Sequence, residues 1–212
     1  MKFPIFASFI VFCLWLRYQL KKSSKREDSL SQNFWEKEAE ANNTRRKSLE
    51  NLDYITIPLE SFPTEINSLS ENERFMECLE TLHTLSNEKI VNLTGLTNTE
   101  LKLKYGAPNI NLLMQFDQNY TLLARTLQSF AEELYKAGFI SESQTVLEFA
   151  ISTHTDVSQS YFLLADIYDR ENHPEKINEL IETAEGLNTV MKNPIVRTLQ
   201  ESGPYSGLLR SL

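Results

Sequence analysis

The three histidines are the side chains best suited to acid–base or metal chemistry in this chain, and their setting supports neither. His83 falls in the apolar-periodic run ERFMECLETLHTL, His154 lies at the junction between two helical stretches, and His173 stands beside Pro174 in a turn. Zinc ligands recur at short fixed intervals, and none of these spacings makes such a site. Cys13 and Cys78 each lack a CxxC neighbour, so the sequence implies no disulfide framework or zinc knot, in keeping with a reducing compartment. Glu132 and Glu133 are adjacent and leave a helix in different directions, which is not the geometry of a glycosidase pair. NLTGLTNTE lacks the lysine and the glycine content of a phosphate loop. The expectation is a non-enzyme with no catalytic residue, no metal ligand and no cofactor.

The elements that would carry any site begin with FPIFASFIVFCLWLRYQLKK. Phe3 to Leu16 is apolar apart from Ser8, and Leu20 extends the usable length to about eighteen residues, roughly 27 Å of helix. Trp15 and Tyr18 suit a membrane interface, and Arg17 can snorkel. Only Lys2 precedes the run, and bulky residues close it, which argues against a cleaved signal peptide. The expectation is an N-terminal transmembrane helix over residues 1–20, with a signal peptide and a buried or amphipathic surface helix as the other readings. Arg17, Lys21, Lys22, Lys25 and Arg26 follow with no acidic residue among them, so the positive-inside rule predicts a single-pass cell-membrane protein with a cytoplasmic C-terminal domain.

The 212 residues carry a net charge of -8, and the six basic residues through Arg26 leave the remainder near -14. An acidic surface of that size disfavours nucleic acid as a partner. Residues 21–60 read as a basic-to-polar tether, with a helix around 34–42 and YITIPL as an extended segment whose Pro58 limits pairing. Residues 61–212 read as a helical domain. Ser70 with Glu73 resembles a capping box, and Phe75, Cys78, Leu79, Leu82 and Leu85 recur on one face, predicting a helix over 71–85. TNTELKLKYG suggests a short helix, and Ile110, Leu113, Met114 and Phe116 another.

Further on, LQSFAEELYKAGFISESQTVLEFA aligns without a gap on YFLLADIYDRENHPEKINELIETA. Leu127 falls over Tyr161, Phe130 over Leu164, Ala131 over Ala165, Leu134 over Tyr168, Leu147 over Ile181 and Ala150 over Ala184, each pair 34 residues apart. Small residues at these positions admit a neighbouring helix, and the large ones fill the seam. This spacing resembles the tetratricopeptide repeat family over about residues 120–187. The resemblance implies an all-α fold with helical-hairpin units at about 124–157 and 158–191, built from helices near 120–137, 141–152, 158–170 and 174–186. Ser143 against Ile177 and Ile140 against Pro174 depart from strict repetition, leaving a divergent repeat or a related helical-hairpin array.

The same resemblance implies a protein-binding groove at Arg125, Gln128, Glu132, Tyr135 and Lys136 of the first unit and Gln159, Phe162, Asp166, Asp169 and Arg170 of the second. Glu132 and Asp166 replace the asparagine of chaperone-tail clamps, which disfavours an acidic C-terminal tail as ligand. The functional expectation is a membrane-anchored adaptor or scaffold holding an unknown protein or peptide. The alternatives are a structural subunit of a homo-oligomeric or membrane-associated assembly and an unrecognised helical hydrolase.

Overall fold

The computed structural model describes residues 3–201, without the side chains of 3–11, 20 and 22–31. It is all-α, as the periodicity predicts: α1 (Phe3–Asn43), α2 (Glu73–Leu85), α3 (Asn98–Tyr105), α4 (Ile110–Lys136), α5 (Ile140–Ser152), α6 (Ser158–Arg170), α7 (Pro174–Glu185) and α8 (Lys192–Glu201). The chain divides into two units. The first joins residues up to Ser48 with Thr97–Ile110, and the second joins Leu49–Leu96 with the residues from Asn111 onward.

The N-terminal expectation is corrected here. No helix among the described residues is long and apolar enough to cross a membrane. The span assigned to residues 1–20 falls partly on side chains outside the described set, and every described residue from Phe12 to Gln19 is exposed. The helix does not stop at the basic cluster to hand over to a tether. It runs 41 residues without a break to Asn43, so residues 21–43 of the stretch read as tether, with the helix expected at 34–42, lie in one long element. The transmembrane anchor, the single-pass topology and the cell-membrane localisation with a cytoplasmic domain lose their basis.

In the first unit, polar contacts hold the end of α1 to α3. Glu38 accepts from Lys102 and from the Thr99 hydroxyl (2.6 Å), and Lys102 also reaches Asn42 at 2.8 Å. The hydrogen bond from Lys102 draws the Glu38 carboxyl below its ordinary value. A Thr97–Glu100 capping box starts α3, satisfying donors that the first helical turn leaves open. Its end needs Gly106, at φ 95°, because a Cβ there would stand 2.3 Å from the Arg45 carbonyl oxygen. The buried Asn109 then donates to the Lys47 and Tyr105 carbonyls, both at 2.8 Å, and accepts from Arg46 at 2.9 Å.

The second unit holds the large core. The start of α2 differs from expectation: Asn72, not Ser70, caps it, accepting from the Phe75 amide at 3.0 Å, while Ser70 turns back to the Asn67 carbonyl. Phe75 stacks on Phe130 with ring centroids 5.1 Å apart, and Phe62, from the extended segment before α2, meets Phe149 at 5.6 Å. The extended segment pairs at one point, Tyr54 with Val91, and the Ile55 amide donates to Ile90 at 2.9 Å. Two expected helices near 110–116 and 120–137 are a single α4, since no glycine or proline interrupts 110–136.

Ala131, Ala150, Ala165 and Ala184 are all buried, and Ser143 donates across to the Ala131 carbonyl at 2.7 Å. The α4–α5 and α6–α7 connections turn through left-handed residues, Gly138 (φ 88°) and Asn172 (φ 59°). At N1 of α7, Pro174 loses nothing by lacking a donor.

Candidate functional site

The ten residues proposed for a groove lie on α4 and α6, and five of them are engaged by one another. The Tyr135 hydroxyl donates to Asp166, the Arg170 Nε lies 2.9 Å from the same carboxylate oxygen, and the Arg170 guanidinium sits 5.4 Å over the Tyr135 ring. Burial, with the bond to Asp166 and its charge adding to it, pushes the Tyr135 hydroxyl up to about 12. It stays a neutral donor. Lys136 bridges Glu132 at 2.9 Å and Glu133 at 3.5 Å, and the bond to Glu132 raises its ammonium pKa. Gln128 accepts from Ser160 at 2.8 Å, and Phe162 packs against the core. Arg125, Gln159 and Asp169 make no such contact among the described residues. Where a peptide clamp needs donors and acceptors left open to a ligand, this face has closed most of its own.

The histidines do not converge. His83 is exposed on α2, His154 is exposed at the α5–α6 junction, and His173 places Nδ1 2.7 Å from Glu175. No group of three or more potential metal-ligating side chains gathers among the described residues. Burial pushes the Cys78 thiol up to about 11, so it is a neutral packing group at ordinary pH.

A cavity of about 410 Å³ opens instead among four loops of the second unit. Its walls come from Asp53, Ile55 and Thr56 of the extended segment, Asn92 and Thr94 before α3, Phe149 and Ser152–His154 at the end of α5, and Gly186–Thr189 after α7. Tertiary hydrogen bonds build the rim. The Asn92 side chain donates to the carbonyls of Thr153 (2.9 Å) and His154 (3.2 Å) and accepts from the Thr94 amide at 2.9 Å. His154, at φ 57°, is the left-handed residue that follows the α5 cap at Thr153. Across the rim, a Cβ on Gly95 would lie 2.4 Å from the Asn188 carbonyl oxygen, so the two loops meet backbone to backbone.

The groups facing this cavity differ from those on the α4–α6 face. The Asp53 carboxylate, the Thr56 and Thr94 hydroxyls and the His154 ring have no hydrogen-bond partner among the described residues. Ile55, Phe149 and Leu187 supply apolar wall, and among the described residues no lysine or arginine lines the space. The sequence put Phe149 in the expected helix at 141–152 and the others in extended or connecting segments, and it weighed only His154 for chemistry, assigning it none. Signals were present only in Gly95 and in the polar run around it, which marked a turn without saying what it meets.

No family model matches the chain, and no curated protein and no solved structure matches it. The tetratricopeptide resemblance therefore gains no support beyond the spacing that suggested it. The expected adaptor function is overturned, because it required both a membrane anchor and a repeat-based interaction surface, and neither has support. The membrane as partner falls with the anchor, and the structural-subunit alternative has nothing behind it, since no match supplies an assembly or a partner.

Proposed function

We propose that the second unit is a small-molecule-binding module whose ligand enters the four-loop cavity. The observation that carries this reading is the rim itself: Asn92 grips the consecutive carbonyls of Thr153 and His154 beside open hydrogen-bonding groups. Tertiary bonding of this kind preorganises a site, lowering the ordering that binding would otherwise require. The volume lies within the usual range for small-ligand sites, about 300–1,000 Å³.

The lining favours a neutral, hydroxyl-bearing molecule. Asp53, Thr56, Thr94 and His154 offer acceptors and donors, and Phe149 with Leu187 offers an apolar face. A phosphorylated or sulfated ligand would meet one carboxylate and no lysine or arginine. Binding without bond cleavage fits the same lining, because Asp53 and His154 are its two titratable side chains and no hydrogen bond joins them.

Thermal denaturation combined with ligand-observed NMR, using monosaccharides, linear polyols and nucleosides at millimolar concentration, tests the reading. A bound compound at ten times its dissociation constant raises stability by about 1.4 kcal/mol. Ser152→Trp, at an exposed lining position, should abolish binding while leaving the unliganded melting temperature in place. Failure of the whole hydroxyl-bearing series to bind, or binding that survives Ser152→Trp, overturns it.

A further inference from the structure

A second site lies apart from the four-loop cavity, in the groove between α2 and α4. Arg74, Glu77, Cys78 and Thr81 occupy successive positions on one face of α2, and Leu122, Arg125, Thr126 and Ser129 do the same on α4. Together they enclose about 210 Å³, room for a ligand of a few heavy atoms.

The charges here are not closed off as they are on the α4–α6 face. Arg125 has no hydrogen bond or ion pair among the described residues, and the Glu77 side chain has none either. Arg74 reaches only Glu133, at 3.9 Å, and that carboxylate already holds Asn72 at 2.9 Å and Lys136 at 3.5 Å. Thr126 is 7% exposed, lines the groove, and its hydroxyl likewise has no partner among the described residues. The Thr126 hydroxyl is not sealed from solvent, so beside the unpartnered guanidinium it can donate to a ligand oxygen. Buried Cys78 and exposed Leu122 supply the apolar part of the lining and bring no charge.

We propose that this groove binds a small carboxylate bearing a hydrogen-bond donor on the adjacent carbon, an α-hydroxy or α-amino acid. Arg125 and Arg74 take the carboxylate, since guanidinium forks match its planar oxygens. Thr126 donates to the same group. Glu77 accepts from the neighbouring hydroxyl or ammonium and repels a dianion, which sets the site against inorganic phosphate. With two arginines and one glutamate, the groove carries one net positive charge, the complement of a monocarboxylate.

Isothermal titration of the full chain with lactate, serine, acetate and inorganic phosphate tests this assignment. Lactate or serine should bind, acetate about tenfold more weakly for want of the donor, and phosphate more weakly still. Arg125→Gln should cut lactate or serine affinity by at least about tenfold with no change in melting temperature, because the wild-type side chain has no partner to lose. Glu77→Gln should narrow the gap between lactate and acetate and admit phosphate. Preference for lactate over serine identifies a hydroxy acid, and the reverse an amino acid. Absence of binding by either acid, equal binding in Arg125→Gln, or phosphate outcompeting both in the wild type overturns the proposal. Ser152→Trp leaves these affinities unchanged, so this result is separable from that at the four-loop cavity.

Discussion

The α4–α6 face and the four-loop cavity hold similar kinds of side chain in opposite states. On the face, Tyr135, Asp166 and Arg170 complete one another, as do Glu132 and Lys136, and the Tyr135–Asp166 bond ties the two helices together. At the cavity, the side chains of Asp53, Thr56, Thr94 and His154 have no hydrogen-bond partner among the described residues, while the Asn92 side chain at the rim is engaged by three bonds. A polar side chain is a candidate for binding when its neighbours fix its position without using its hydrogen-bonding capacity. The face fails that test and the cavity passes it.

The largest expected effect sets the two carboxylates against each other. Asp166→Ala removes the acceptor of Tyr135 and the counter-charge of Arg170 from a buried position, and should destabilise the second unit by about 2 kcal/mol in chemical denaturation. Asp53→Ala, at an exposed and unpartnered carboxylate, should shift stability by no more than about 0.5 kcal/mol while weakening ligand binding. Equal costs for the two would dissolve the distinction drawn here.

Gly95→Ala should cost about 1–2 kcal/mol, since alanine resists a φ of 85° and its Cβ meets the Asn188 carbonyl. Hydrogen exchange should place the loss at the cavity rim, with the α4 and α6 amides unchanged. Loss of protection spread through both helices would show instead that rim and face are one cooperative element.

The smallest effect is a titration. The Tyr135 hydroxyl is raised from an ordinary 10 to about 12, so its contribution is complete below pH 10 and is lost as pH climbs through about 12. Ultraviolet titration of the wild type against Asp166→Asn should show one tyrosine ionising at lower pH in the variant. No change would mean that Asp166 does not hold that hydroxyl.

Periodicity carried α5, α6 and α7 because each is short, has apolar residues every three or four positions, and is bounded by a turn at Gly138, His154 or Asn172. It failed for α1, where the basic cluster looked like the end of an element although no residue there breaks a helix. It failed again at 117–119, where polar residues looked like a break. Asp117 and Asn119 are outward positions of a continuous helix, and they hold the 89–93 loop through the Leu93 amide (3.1 Å) and the Lys89 carbonyl (3.0 Å).

Helical spacing also placed the ten groove candidates on α4 and α6, but it cannot register that they bond to one another. The cavity was invisible for a different reason. Its walls come from four segments as distant as Asp53 and Thr189, and each taken alone resembles an ordinary solvated connection.

Helix α4 acts as the molecule's ruler. Over about 40 Å of unbroken rod, it fixes the loop beside Val91, then one wall of the groove at Arg125, then the bracing carboxylates at Glu132 and Glu133. Adding or deleting one residue between Phe116 and Leu134 would swing everything beyond it by about 100°, misaligning the downstream features together. A length change would therefore be borne with less disturbance in the segments on either side of this rod than within it.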